Sequence, residues 1–502
     1  MPRLSFTREF GMFLLFMLVL GGITIWLLEH NYANEFSFSR WEKVLEVMAA
    51  PEFRIEYLGL VYPHIPIYVL MPFYFIPGVD GSTAPYLVAS LIGASLLALW
   101  NYHLARKGYS PGSRLVYCLA ILAHPYFLWG VTTGTDHALS LVMFYMLYHA
   151  CVRMILQQDA RAFMYLGLVF ALYFFVDERT FFLFLALLPL IPLIAPPRML
   201  AESALSVYLI IAFPLLILIS AWIYLNWIFY DDPWVFLYST ESSFRGAWLD
   251  TPSIGWLQQY GGNGISAAVI ALLLAALAYP ILLWLVRESR NHRVLLRGGL
   301  VMLLHPVIAV GIATYAYFLP HPSHILFLFS AATMAAMVLL PRKSAKKRLQ
   351  IHVFLILSII GGWWSFFWSP SPDMQRWSTA WHSRLENRNY VADQSLAQWL
   401  GKYNAETMLD DRSTYRVIVY LGHARDLVLP FSSRFKHALR QDNPDVAQVV
   451  VPAPGSNAAQ RDAIAARYPD LYRHGLPGYE LVYDQDCWRV YRLQTATIAM
   501  RE

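Results

Sequence analysis

The sequence predicts a polytopic α-helical membrane protein with a polar α/β domain at its C-terminal end. The 502 residues are 57% hydrophobic and only 14% charged, with a mean hydropathy of +0.43; an ordinary soluble domain carries about 25% charge. Several apolar runs reach the roughly 20 residues that cross a hydrocarbon core of about 30 Å. From Ser369 onward the chain turns polar and contains no such run. Together these exclude a cytosolic enzyme, a disordered tail and a fibrous repeat.

The first run, Phe10 to Leu28, follows Arg3 and Arg8. It is too long for a signal-peptide core and no small-residue cleavage site follows it, so it reads as an uncleaved first span. Further spans are expected at 84–105, 115–132, 137–156, 162–176, 181–197, 205–230, 264–286, 298–318, 323–341 and 350–368, making about eleven. Loop charges orient them. Arg106, Lys107 and Arg114, then Arg153 and Arg161, Arg198, Arg287 to Arg297 and the 342–348 cluster fall on one side. The intervening turns at 132–137 and 319–324 carry no Lys or Arg. Positive loops stay in the cytoplasm. The N-terminus is therefore expected inside and residues 369–502 outside a cytoplasmic (inner) membrane, with 1–368 as the membrane domain. The net charge of +5 (38 basic less 33 acidic) is spread through these loops, so no nucleic-acid partner is expected.

Residues 29–83 form a long first outer loop. Its segment Val61–Pro77 is apolar but short and carries four prolines; each interior proline removes a donor and clashes with the preceding turn. It reads as an interfacial or re-entrant piece. In the C-terminal domain, helix-like stretches (395–403, 414–422, 434–440, 458–467) alternate with strand-like ones (407–410, 427–430, 448–452), before a closing pair at 480–483 and 488–493. That alternation predicts a mostly parallel sheet. No glycine-rich phosphate loop opens these helices. The three cysteines, Cys118, Cys151 and Cys487, form neither a disulfide framework nor a zinc spacing.

Charged groups at membrane depth are costly and mark candidate sites. Asp177-Glu178-Arg179 follows a span of only 15 residues, about 22 Å at 1.5 Å per residue, and so should lie below the outer surface. Arg179 either pairs with its acidic neighbours or offers its planar fork to a phosphate. Asp136, after Thr132-Thr-Gly-Thr135, caps the fourth span or faces a cavity. In the first loop Glu35 lies nearest the span. Glu42 and Glu46, spaced i, i+4, read most simply as the solvated face of a surface helix. Asp231 and Asp232, before Pro233, are turn formers, and His321 and His324 form at most a weak metal pair. His103, His124 and His305 read as polar groups packed between helices.

This layout resembles the GT-C superfamily of polyprenyl-phosphate-sugar-dependent glycosyltransferases, particularly its protein mannosyltransferase and aminoarabinose transferase branch. The likeness rests on the loop segment Tyr62-Pro63-His64-Ile65-Pro66, on Gly134-Thr135-Asp136, on the charged hairpin Asp177-Glu178-Arg179, on the Asn226 to Pro233 run, and on the outer α/β domain. The family places an acid just after the first span; here Glu35 and Glu42 flank that register. The resemblance implies inverting sugar transfer from a polyprenyl phosphate to a glycan, lipid or protein acceptor at the outer face. Glu35, Glu42 and Asp136 would be the catalytic acids. Arg179, Glu178 and Arg245 would attend the donor phosphate, and Tyr62, His64 and Asp232 the substrate loops. A divalent cation, Mg or Mn, serves some members. The alternatives are a non-catalytic subunit of an envelope polysaccharide or glycolipid complex, or a lipid-linked sugar transporter.

Overall fold

A computed structural model describes residues 6–49, 63–157, 161–177, 179–238, 264–316, 322–339, 345–386, 388–485, 487–494 and 499–500. They divide into two compact units. The larger takes its described residues from Met1–Tyr32, Tyr62–Pro66 and Tyr86–Arg384, the smaller from Ala33–Val61, Ile67–Pro85 and Leu385–Glu502. The long first loop is thus split between them.

The larger unit is a helical membrane bundle. Among the described residues six helices are long and apolar enough to span: Glu9–Glu29, Ala84–Arg106, His137–Leu156, Pro197–Tyr230, Arg293–Tyr315 and Leu349–Phe367. The expected spans at 115–132 and 264–286 are each broken. Pro111–Leu122 meets Pro125–Thr132 at 73°, and Ile265–Ala278 meets Pro280–Glu288 at 88°. Counting each bent pair once gives up to eight spans. The cause of both breaks is a proline, which cannot donate into the helix and pushes the preceding residue out of the helical region. His124 and Tyr279 accordingly take extended or irregular backbone angles. The two breaks meet: the His124 ring stacks on Tyr279 at 4.3 Å, and its Nε2 bonds the Ala278 carbonyl at 2.9 Å. A carbonyl freed by the break is thereby satisfied where lipid offers no partner. The expected spans at 162–176, 181–197 and 323–341 are shorter apolar helices, Arg161–Phe174, Thr180–Ile194 and Leu328–Leu339.

Small residues set the closest helix approaches, as membrane packing favours. A Cβ on Gly361 would lie 2.1 Å from the Leu277 carbonyl oxygen, and one on Gly167 would lie 2.6 Å from that of Ile211. Gly361→Ala should therefore force the two helices apart and cost about 1–3 kcal/mol; thermal unfolding in detergent checks this.

The described residues of the smaller unit contain seven strands: β1 Tyr403–Asn404, β2 Thr407–Met408, β3 Leu427–Val428, β4 Gln448–Pro452, β5 Tyr479–Gln485, β6 Trp488–Leu493 and β7 Ala499–Met500. Five form one sheet in the order β3-β2-β4-β6-β5, and β1 pairs with β7. Only β2–β3 and β2–β4 are parallel. The β4–β6 and β5–β6 pairs are antiparallel, so the sheet is mixed rather than mostly parallel. Two residues separate β5 from β6, enough for a hairpin and far too few for a crossover. Strand β4 is buried along its whole length, and Val449 and Val451 join Met408, Val428, Phe435 and Ile464 in the core.

Helix Asp411–Leu421 begins where Asp410 accepts the Arg412 N–H at 3.0 Å and ends at Gly422, whose φ of 79° suits a residue without Cβ. The same unit holds helix Glu35–Ala49 and a 3-10 turn over Met71–Phe75, while the short helix Ile65–Leu70 before that turn has Ile65 and Pro66 in the larger unit and Ile67–Leu70 in the smaller. The proline-bearing segment is thus helical but too short to span.

Candidate functional site

In the membrane unit, helix Arg161–Phe174 ends in a turn that carries Asp177 inward. Its carboxylate is fully buried and meets Arg179 in a fork: Nε donates to Oδ1 at 2.7 Å and Nη2 to Oδ2 at 2.6 Å. The Arg179 backbone N–H and the Ser140 hydroxyl donate to the same carboxylate, at 2.9 and 2.6 Å. The partner of Arg179 is therefore Asp177. Glu178 lies outside the described residues. Charge neutralisation plus four hydrogen bonds is what an ion pair at this depth needs.

Arg179 is not spent on Asp177 alone. Its Nη1 donates to the His324 carbonyl at 3.4 Å, and its guanidinium lies 5.3 Å from the Phe327 ring centroid. Phe327 packs at 4.7 Å against His137 and at 5.9 Å against Trp129, and Trp129 packs at 4.4 Å against His137. This aromatic wall joins the Arg179 turn to the Thr133–Asp136 turn. There Thr133, Thr135 and His137 form a hydrogen-bonded chain, each link 2.8 Å. Asp136 is buried, and its carbonyl accepts at 2.8 Å the N–H of Ser140, the residue whose hydroxyl binds Asp177. Two sequence-predicted residues, Asp136 and Arg179, are thus brought to one place.

His64 joins the neighbourhood. It is buried, edge-on to Trp222 at 4.6 Å, and the next residue's N–H bonds the Phe175 carbonyl at 2.9 Å. Asp232 instead caps its own turn, accepting the Trp234 N–H at 2.9 Å, after Asp231 in the left-handed region at φ 55°. Tyr62, Arg245 and His321 lie outside the described residues.

One member escaped sequence reasoning. Asp373, in the first turn of helix Pro372–Ala380, accepts the Trp129 indole N–H at 3.0 Å and the Tyr32 hydroxyl at 3.1 Å. Trp377 on the same helix donates to Thr132 at 2.9 Å. The available signal was an acid in Ser369-Pro-Ser-Pro-Asp373, directly behind the last span; assigning that stretch to the soluble domain hid it.

The first-loop acids belong to the smaller unit. Glu35 opens helix Glu35–Ala49; its side chain is 54% exposed and reaches Arg416 at 3.7 Å. Arg416 is held more closely by Asp393, at 2.5 Å, and lies over Tyr390 and Tyr415. Glu42 and Glu46 do not form a solvated face: both are buried, because this helix packs on Asp411–Leu421. Lys43 Nζ sits 2.5 Å from Asp411, 2.9 Å from Glu46 and 3.6 Å from Glu42.

Burial, and then the charge of Glu46, pushes the Glu42 carboxyl well up. Burial raises Glu46 to about 7 against the pull of Lys43. For Asp411, burial raises but the charge and hydrogen bond of Lys43 win, holding it below its ordinary value. One oxygen from each of the three acids lies within 4.8 Å of the others, a set of hard donors of the kind Mg or Mn takes. The Lys43 ammonium already stands among those oxygens, so the set as folded does not fit a divalent ion.

No family model matches this chain, and no curated protein matches it. Among solved structures it is similar to ArnT from Cupriavidus metallidurans, crystallised bound to undecaprenyl phosphate. That likeness has a TM-score of 0.58 at 15% identity, over 97% of this chain and 98% of that one. At such identity the likeness carries the fold alone: a polytopic helical fold with a small C-terminal sheet, like that of ArnT.

Proposed function

We propose that the protein is a membrane glycosyltransferase that takes its sugar from a polyprenyl phosphate and passes it to a hydroxyl acceptor at the outer face of a cytoplasmic membrane. The observation that carries this reading is the Asp136/Asp177–Arg179 constellation in a fold shared with a protein that binds undecaprenyl phosphate. An acceptor hydroxyl attacks the anomeric carbon opposite the phosphate. The bond from that carbon to the phosphate oxygen breaks, the new bond to the acceptor oxygen forms, and the centre inverts. The acceptor proton passes to a carboxylate as general base. Of the first-loop acids, Glu35 is exposed, whereas Glu42 is enclosed beside Lys43. Arg179 stabilises the departing lipid phosphate, because charge placed in advance in a dry site acts strongly on a developing anion. Asp136 receives a hydroxyl of sugar or acceptor.

Asp136→Asn tests this in a purified system with polyprenyl-phosphate sugar, followed by transfer rate and melting temperature. Transfer should fall about 100-fold or more, with melting unchanged, since Asn starts a helix about as well as Asp. Wild-type transfer by this variant would remove Asp136 from the machinery.

A further inference from the structure

A second polar cluster lies in the membrane unit, twelve residues or about 18 Å along helix His137–Gln157 from its start beside Asp136. His103, on helix Ala84–Arg106, and His149 stack face to face, their rings 4.7 Å apart and 10° from parallel. The Tyr145 hydroxyl lies 2.6 Å from Nδ1 of His103, fixing that ring. One turn further along each helix stands an arginine, Arg106 after His103 and Arg153 after His149. The Arg106 guanidinium lies 5.9 Å from the Tyr102 ring. One turn before His103, towards the middle of the membrane, helix Ala84–Arg106 exposes the apolar side chain of Leu99.

We propose that Arg106 and Arg153, at the end of this histidine-paired helix contact, bind the phosphate headgroup of an anionic membrane lipid. Guanidinium groups match a phosphate diester through parallel N–H donors. Basic pockets between membrane helices attract acidic headgroups on the arginine-rich side. The exposed Leu99 suits an acyl chain, which a free phosphate ion lacks. The site is independent of sugar transfer and stands whether or not the chain is a transferase.

Native mass spectrometry of the full chain in neutral detergent tests it by titration with phosphatidylglycerol, phosphatidylcholine or inorganic phosphate. Phosphatidylglycerol should bind more tightly than phosphatidylcholine and resist competition by inorganic phosphate. R106Q/R153Q should weaken it about 30-fold, the cost of two membrane-proximal charges. R106K/R153K should lose only part of that, because charge remains while the fork is lost. R198Q, at an exposed arginine paired with Glu202, should bind as wild type and controls for general charge. Unchanged melting of the variants shows that they fold. Equal phosphatidylglycerol affinity in R106Q/R153Q and wild type overturns the proposal. So does equal affinity of wild type for the two lipids, and ready displacement by inorganic phosphate assigns the two arginines to the free ion instead.

Discussion

Arg179→Ala should destabilise the membrane unit by about 3–5 kcal/mol, the usual cost of leaving one partner of a buried ion pair alone. The reason is Asp177. Its carboxylate is fully buried and takes two guanidinium bonds, at 2.7 and 2.6 Å, from this one side chain. Removing the guanidinium leaves a charge that Ser140 and one backbone N–H cannot neutralise. Asp177→Asn combined with Arg179→Met should recover most of the loss, since no lone charge remains. Thermal unfolding of the two variants in detergent reads this directly, and an Arg179→Ala protein as stable as wild type would contradict it. Binding of polyprenyl phosphate separates stability from function. The stable double variant should still lose the lipid if Arg179 meets its phosphate, and Arg179→Lys should bind with intermediate affinity because it keeps charge without the fork. Native binding by the double variant would reduce Arg179 to a structural residue.

Lys43→Met should cost the smaller unit a comparable amount, about 3–5 kcal/mol at neutral pH, because it strands Glu42, Glu46 and Asp411 without the ammonium they surround. The loss should shrink in mild acid, where the carboxyls take up protons. Even the native unit should prefer mild acid. Glu46 moves from 4.5 to about 7, Asp410 from 3.8 to about 7 and Asp462 from 3.8 to about 6, burial being the first cause of each. A carboxyl raised on folding binds its proton more tightly in the native state. Stability is then greatest below the unfolded value and falls as pH rises through the folded one. The window runs from about pH 4 to pH 7. Asp411, held low by Lys43, has the opposite sign and matters only in stronger acid. Melting of the full chain should thus be higher at pH 5 than at pH 7.5. Glu46→Gln should flatten part of that slope, a contribution of order 3 kcal/mol at most. A melting temperature that rises from pH 5 to 7.5 would refute the sign.

The membrane-spanning pattern was legible in the sequence because lipid imposes it locally. Every backbone polar group must be satisfied within its own helix, so an apolar run of sufficient length declares itself. The C-terminal elements were legible for a similar reason: β4 was read at Gln448–Pro452 and found there, its continuous Val run marking a strand buried on both faces. The short span before Asp177 also marked its polar exit as buried, and Asp177 and Arg179 are buried.

Partnership was decided only in three dimensions. Nothing local in Trp41–Met48 tells Glu42 and Glu46 that they will be covered by a helix some 365 residues further on, whose Asp411 shares their lysine. An i, i+4 acid pair looks the same on a wet face and on a buried one. Asp373 similarly acquires its meaning from Trp129 and Tyr32, which the chain brings to it from 244 and 341 positions away. The proline breaks at His124 and Tyr279 were visible as residues, but their pairing rests on one ring bonding another helix's carbonyl. Periodicity and composition therefore determined which segments enter the membrane and which form the sheet, because solvent and lipid act on each segment separately. The identity of each buried charge's counter-charge was left to the tertiary structure, since that energy depends on distance and burial, which exist only after the chain has packed.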